Sequence, residues 1–138
     1  MRPIKFRGFA CDRDDERRWI FGQLNFEEIN LGNFERPVIV YYDNDIGWYS
    51  NHVHEDSVGQ FTGAYDPENN EIYEGDILQR RDGNIYAVEW DNYDFEWILR
   101  DSEGWIFHTL GNAMNDLDSY RVIGNMFENK KLMEGGEG

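Results

Sequence analysis

Two pairs of residues have spacings that could do chemistry. Glu74 and Asp76 stand two apart, so on a regular strand both carboxylates project from one face. Two carboxylates in unlike environments can divide the roles of acid and base, as a hydrolase requires. The competing reading is local: beside Gly75, Asp76 can accept hydrogen bonds from the backbone amides of a turn or bulge. His52 and His54 share a face by the same arithmetic, and Glu55 and Asp56 follow directly. A His-x-His strand offers two nitrogens to zinc or another divalent ion, but a site needs at least a third ligand. His108 is the remaining histidine. With the ligand set so incomplete, the pair reads first as loop histidines, with a pH-sensitive contact as a further role.

Acidic groups are interleaved with aromatics between residues 89 and 103. Glu89, Asp91, Asp94, Glu96, Asp101 and Glu103 sit among Trp90, Tyr93, Phe95 and Trp97. Such spacing could imitate the charges of a nucleic acid, or it could be the wet face of a strand meander. Cys11 lies in or beside a charged loop with no base nearby, which argues against a nucleophile. No phosphate-binding glycine loop, serine elbow or CxxC pair is present, so no cofactor is expected.

These residues are positioned by the stretch from Gly59 to Gln79, GQFTGAYDPENNEIYEGDILQ. It reads as strand, turn, strand: Pro67 pushes Asp66 toward extended geometry, and Asn69-Asn70 tolerate the left-handed region that tight turns need. Gly75 inside the second strand predicts a bulge or a close backbone approach. Two further blocks accompany it, Ile4-Lys5-Phe6-Arg7 at the start and VIGNMFEN from Val122 to Asn129. With QFTG (60–63) and EIYEGDI (71–77), these blocks make the chain similar to the YopX family, small proteins found mostly in phages and prophages. The resemblance spans nearly the whole chain. It implies a fold and a mobile-element context, with Gln60, Gly63, Tyr73, Glu74, Gly75, Asp76, Gly124 and Asn125 as a structural signature, and it assigns no catalytic residue.

Composition bounds the rest. A chain of 138 residues with 40% hydrophobic and 16% aromatic content suits one β-rich domain. The net charge of −15 repels phosphates, so direct nucleic-acid binding is not expected. Residues 1–21 depart from this balance with six basic groups against four acidic ones. Arg2, Lys5, Arg7, Arg17 and Arg18 are therefore an expected interface set, able to dock on an acidic face of the same molecule or of a neighbour. A single cysteine fits a reducing cytoplasm, and no apolar run approaches a membrane span.

Taken in order, alternation predicts strands over 4–10 and 19–26, closed by the charged loop 11–18. Asn30, Gly32 and Asn33 interrupt the next segment, and Pro37 introduces the strand 38–42. A further strand is expected within 46–53. Residues 71–110 read as a four- or five-strand meander, with a hairpin at Asp82-Gly83 whose two central residues both take φ > 0. One short helix around 113–117 and a last strand over 120–127 complete the chain. The expectation is thus a single, mostly β domain of curled antiparallel sheets or a small barrel with at most one short helix. Residues 59–127 would form a barrel-like core, 1–58 additional packing strands, and 134–138 a frayed tail. Expected core residues are Ile4, Phe6, Trp19, Phe21, Val38, Val40, Phe61, Tyr73, Ile77, Val88, Trp90, Leu99, Phe107, Val122 and Met126. The expected function is that of a non-enzymatic accessory protein in a bacterial cytoplasm, binding itself as a homo-oligomer and another protein through its surplus of large aromatics. The alternatives are an acidic mimic that inhibits a DNA- or RNA-handling host protein, and a metal-dependent hydrolase using the carboxylate or histidine pair.

Overall fold

The computed structural model of the chain describes residues 4–11, 18–29, 34–114 and 120–134. Arg2, Arg17 and the tail beyond Glu134 lie outside the described residues. The strands are β1 (Phe6–Phe9), β2 (Trp19–Ile29), β3 (Phe34–Asp43), β4 (Gly47–His52), β5 (Gly59–Tyr65), β6 (Glu71–Tyr73), β7 (Asp76–Arg80), β8 (Ile85–Asp91), β9 (Glu96–Asp101), β10 (Ile106–Thr109) and β11 (Tyr120–Asn125). A 3-10 turn covers Glu55–Ser57, and helices α1 (Leu110–Met114) and α2 (Lys131–Glu134) are one turn or little more. The chain is mostly β, as expected, but among the described residues it has two short helices where at most one was expected. It divides into two compact units, Met1–Phe61 and Thr62–Gly138, with the boundary inside β5.

In the first unit the strands run in the order β4-β3-β2-β1-β5. The core face collects Ala10, Ile20, Ile39 and Val53, with Phe6, Leu24, Tyr41 and Val58 against them. The register makes this one face: Leu24 pairs with Ile39, and Gly8 with Ile20. Strand period alone puts every second residue there. The sheet curls until Val53 bridges Ala10, with the Cys11 amide donating to the His52 carbonyl and the His54 amide to that of Phe9. One bridge is not a ladder, so the curled-sheet expectation holds and no closed barrel forms among the described residues.

Two glycines permit this curl. A Cβ on Gly8 would stand 2.7 Å from Val53 Cβ, and one on Gly22 would stand 2.2 Å from the Val40 carbonyl oxygen. The second contact is with backbone, which no rotamer change relieves. Gly22→Ala is expected to lower stability by about 2 kcal/mol in denaturant melts, because β2 and β3 must part to admit the methyl group. An unchanged melting midpoint would count against the close approach.

The second unit carries the sheet β10-β9-β8-β7-β11, with β6 set against the second half of β5. The meander is the four strands β7 to β10, and β6 leaves it. Ile72, Leu78, Tyr86, Val88, Leu99, Leu110, Ala113 and Tyr120 fill one face, while Ile77, Ala87 and Met133 fill the other. A sheet covered on both faces explains why neighbouring residues such as Ile77 and Leu78 are both buried.

The same loop geometry recurs three times in this unit. At 66–70, 80–84 and 101–105 the first residue's amide donates to the carbonyl of the fifth, and the fourth residue's amide donates to the carbonyl of the first. The fourth residue is in each case the one with positive φ: Asn69 at 68°, Gly83 at 94° and Gly104 at 93°. The Asp82-Gly83 hairpin is thus a three-residue loop in which only Gly83 enters the left-handed region, where a two-residue turn with both centres positive was expected.

Four expected core residues are exposed. Ile4 precedes β1, and Phe21 lies opposite Arg7 on the face away from the core cluster. Trp90 pairs with Trp97 at the far end of the β8–β9 hairpin, and their rings meet edge to face at 5.0 Å. Phe107 falls between the β10–β9 pairs of Ile106 and His108, where the register shifts, so it stands outside the ladder and stacks on Tyr86 at 4.6 Å. Alternation identifies two faces of a strand but cannot say where along it the core ends.

Candidate functional site

Two of the blocks that single this chain out, EIYEGDI (71–77) and VIGNMFEN (122–129), meet in the second unit, and they meet through backbone. Asn125 pairs with Asp76 and Gly124 with Ile77 where β11 lies on β7. The Gly75 amide donates to the Val88 carbonyl, and the Gly75 carbonyl accepts from the Met126 amide at 2.7 Å. Gly75 achieves both at φ 92°, a conformation that side-chain-bearing residues rarely adopt. Asp76 is buried, and its Oδ2 accepts the Tyr73 amide at 2.7 Å. Thr62 Oγ1 donates to the Ile72 carbonyl and accepts the Ala64 amide, which ties the stretch around Gly63 to β6. On the other side, Asn129 Oδ1 accepts the Asn125 amide, and Asn125 Oδ1 accepts that of Glu128. A Cβ on Gly124 would sit 2.6 Å from Asn129 Oδ1. The carboxylates of 74 and 76 are therefore not a facing pair on one open strand. Asp76 closes a turn, and Glu74 belongs to the turn itself.

The profile of the YopX protein family matches residues 5–134. The chain belongs to the YopX family. No curated protein matches it. In this YopX chain the 71–77 and 122–129 blocks build the junction of β6, β7 and β11, with Asp76, Asn125 and Asn129 each accepting a neighbouring backbone amide. Of the signature residues, Tyr73, Asp76 and Asn125 are buried, Gln60 is half-buried in β5 opposite Phe6, and Gly63 takes φ 90°.

A second buried carboxylate organises the same YopX unit. Asp66 Oδ1 accepts the amides of Glu68 and Asn70, and Oδ2 accepts Asn70 Nδ2 and, 56 residues along the chain, the amide of Val122. Burial by itself raises its pKa, but the hydrogen bonds from Asn70, Val122 and Glu68 outweigh it and hold the carboxyl below its ordinary value. Reading by motif alone passes over Asp66 because its pairing with Val122 is tertiary. Its local half has a counterpart, since Asp101 Oδ1 accepts the amides of Glu103 and Trp105 with identical spacing. DPENN and DSEGW are two instances of one Asp-led loop.

The histidines do not converge. His52 Nε2 lies 2.9 Å from Glu27 Oε1, and His54 rests beside the Phe9 ring at 6.2 Å. His108 belongs to the second unit, on β10. Among the described residues, none of the three joins a group of three possible ligands. Asp91, Asp94 and Glu96 do form such a group, with ligand atoms within 4.8 Å of one another at the β8–β9 turn. Their oxygens suit a hard cation. Glu89 is engaged by Arg100 Nε at 2.7 Å.

Among the described basic residues of the amino-terminal segment, Lys5 and Arg7 are drawn into their own unit. Lys5 Nζ stands 5.3 Å from the centroid of Phe61. Arg7 is buried, with its guanidinium 4.6 Å from the Trp19 ring centre. The 3-10 turn covers this side of β1, and Ser57 Oγ accepts the Phe9 amide. Arg18 is exposed at the entrance of β2, and its carbonyl accepts the Ala10 amide.

Proposed function

We propose that this YopX protein acts by binding protein without catalysis, first of all by assembling with copies of itself along β4. The observation that carries this is the undefended state of that edge. β6, β10 and β11 are also edge strands, and each has a device that discourages strand addition. β6 is three residues long and begins with Glu71; β10 is interrupted by its register shift; β11 carries Arg121 and a shift between Val122 and Gly124. β4 reads GWYSNH: it has no proline, acid, lysine or arginine, and it pairs with β3 over six unbroken positions. Among the described residues, its last carbonyl, that of His52, is the one engaged across the curl, by the Cys11 amide. Its own Trp48 and the cross-strand Tyr42 of β3 meet edge to face at 5.4 Å and are 69% and 58% exposed. In a chain with 30% charged residues, an uncharged regular edge flanked by exposed aromatics suits a second copy adding strand to strand. The non-catalytic part draws support from Asp76, turned inward onto backbone, and from the dispersed histidines. The family resemblance suggests a phage or prophage setting in a bacterial cytoplasm.

Light scattering behind a sizing column is the test. The wild-type chain is expected to run as an oligomer at low and high salt, and Trp48→Lys to run as a monomer, since a lysine is the usual guard of an edge strand. A strict wild-type monomer would sink the assembly. An oligomer that dissolves in high salt would move the interface to charged residues such as Lys5 and Arg18.

A second reading, that of an acidic mimic occupying a DNA- or RNA-handling host protein, draws on the convergence of Asp91, Asp94 and Glu96 beside exposed Tyr93 and Phe95. Pull-down from bacterial lysate decides it, and the return of no nucleic-acid-handling protein ends it.

A further inference from the structure

Along an antiparallel strand, successive residues turn their amide and carbonyl to opposite neighbours, so a known bond fixes the direction of the others. Two such bonds are known at the end of β4. The Val53 amide donates to the Pro37 carbonyl at 3.1 Å, toward β3, while the His52 carbonyl accepts the Cys11 amide at 3.0 Å on the opposite side. β4 pairs with β3 without a shift from Gly47 to His52. Ser50 and Trp48 therefore share the direction of His52 and face outward, whereas Tyr49 and Asn51 turn their backbone groups to β3. Among the described residues, no backbone bond meets Trp48 or Ser50 on the outer side.

These directions select a register for a second β4 laid antiparallel about a two-fold axis, in which one residue must pair with itself. A self-pair at Ser50 or Asn51 would set Trp48 or Ser50 against His52, whose carbonyl is already taken by Cys11. A self-pair at Trp48 would set Ser50 against Ile46, which lies in the turn before the strand. A self-pair at Tyr49 sets Trp48 of each copy against Ser50 of the other and engages every outward amide and carbonyl of both residues. The side chains agree with this choice. Tyr49 stands opposite Tyr41 with ring centres 5.7 Å apart, and the Tyr41 hydroxyl donates to Asn51 Oδ1 at 2.9 Å. Tyr41 packs against the buried cluster, but Tyr49 is 44% exposed, because no strand follows β4.

We infer that two copies join β4 to β4 about a two-fold axis at Tyr49, a reading that rests on the self-assembly proposed above and gives it a register and a symmetry. One face of the seam then carries a row of four tyrosines, with Tyr41 and Tyr49 of one copy followed by Tyr49 and Tyr41 of the other. Aromatic pairs directly opposed across strands are among the contacts that stabilise a sheet. On the reverse face each Trp48 covers Ser50 of the other copy, and the two indoles come within diagonal reach. Such an interface is isologous and closes at two copies, since it occupies β4 of both and the remaining edges are guarded.

Disulfide trapping in the full chain tests the register. In a Cys11→Ser background, Tyr49→Cys is expected to oxidise to a covalent dimer, because directly opposed residues of a non-hydrogen-bonded pair stand about 4.5 Å apart at Cα. Asn51→Cys, on the same face, would stand about 14 Å from its counterpart and is expected to run as a single chain on a non-reducing gel. Amide exchange in the wild-type chain gives a reading that needs no cysteine. The Trp48 and Ser50 amides are expected to be protected as that of Tyr49 is, and the Ser50 amide to lose its protection in Trp48→Lys while Tyr49 keeps its own. A dimer that traps through Asn51→Cys and not through Tyr49→Cys would overturn the register alone, since β4 would still lie at the seam. Free exchange at Trp48 and Ser50 in a wild-type dimer, or a scattering mass above two copies, would overturn the two-fold pairing. A strict wild-type monomer would remove the assembly on which it rests.

Discussion

Replacing Asp66 by alanine is expected to cost about 4 kcal/mol of stability, a large share of what a domain of this size possesses. The estimate rests on four donors that lose one acceptor at once: the amides of Glu68, Asn70 and Val122, and the Asn70 side chain. Asp66 is 4% exposed, so solvent does not readily replace the lost oxygens. The Val122 amide matters most, because that bond joins the 66–70 loop to β11. The charge adds a pH signature. With the folded pKa below the ordinary aspartate value, the unfolded chain takes up the proton first as pH falls. The stabilisation is therefore complete above about pH 4 and disappears as pH drops through the folded value. Urea melts of wild type and Asp66→Asn between pH 2 and pH 7 measure it. The gap between them should be widest near neutrality and close in acid, and a gap independent of pH would show that shape, and not charge, sets the role of this residue.

Asp76→Ala is the second large loss, expected at about 3 kcal/mol. Its Oδ2 is the acceptor of the Tyr73 amide, both groups are buried, and no water-exposed route compensates the orphaned donor. The Gly75 amide and carbonyl bond to Val88 and Met126 on either side, so slackening at 73–76 is felt by both β8 and β11. Asp76→Asn keeps an acceptor oxygen of the same reach and is expected to lose less than the alanine variant. Hydrogen exchange gives the local readout, with the Tyr73 and Met126 amides losing protection ahead of Ile39, which belongs to the other core. Equal stability of wild type and Asp76→Ala would remove the structural role and return Asp76 to the catalytic question.

Asp66 and Asp76 show how a motif can be prominent in a sequence and still be architectural. EGDI and GN attract notice because glycine, acid and amide residues in close order are also what reactive sites use. Here the glycines let strands and turns approach, and the polar side chains satisfy backbone donors that the approach would leave bare. The surface distinguished by composition is different: the uncharged β4 edge, which no spacing rule marks.

What the sequence alone determined was local. Alternating residues located the strands, Asp-Pro, Asn-Asn and Asp-Gly located the turns, and the three family blocks identified the YopX fold before any coordinate. These are short-range properties, set by φ preferences and by the two-residue period of a strand. Only the tertiary structure decided which residues face a core, because Trp90, Phe107 and Phe21 obey the same alternation as Val88 and Leu99 and differ only in whether another element lies over them. It also decided that Arg7 is covered, that Asp66 reaches Val122, and that Trp48 and Ser50 turn their backbone groups outward. Each depends on the pairing of segments separated by tens of residues, and strand register across such a distance is written in no local pattern.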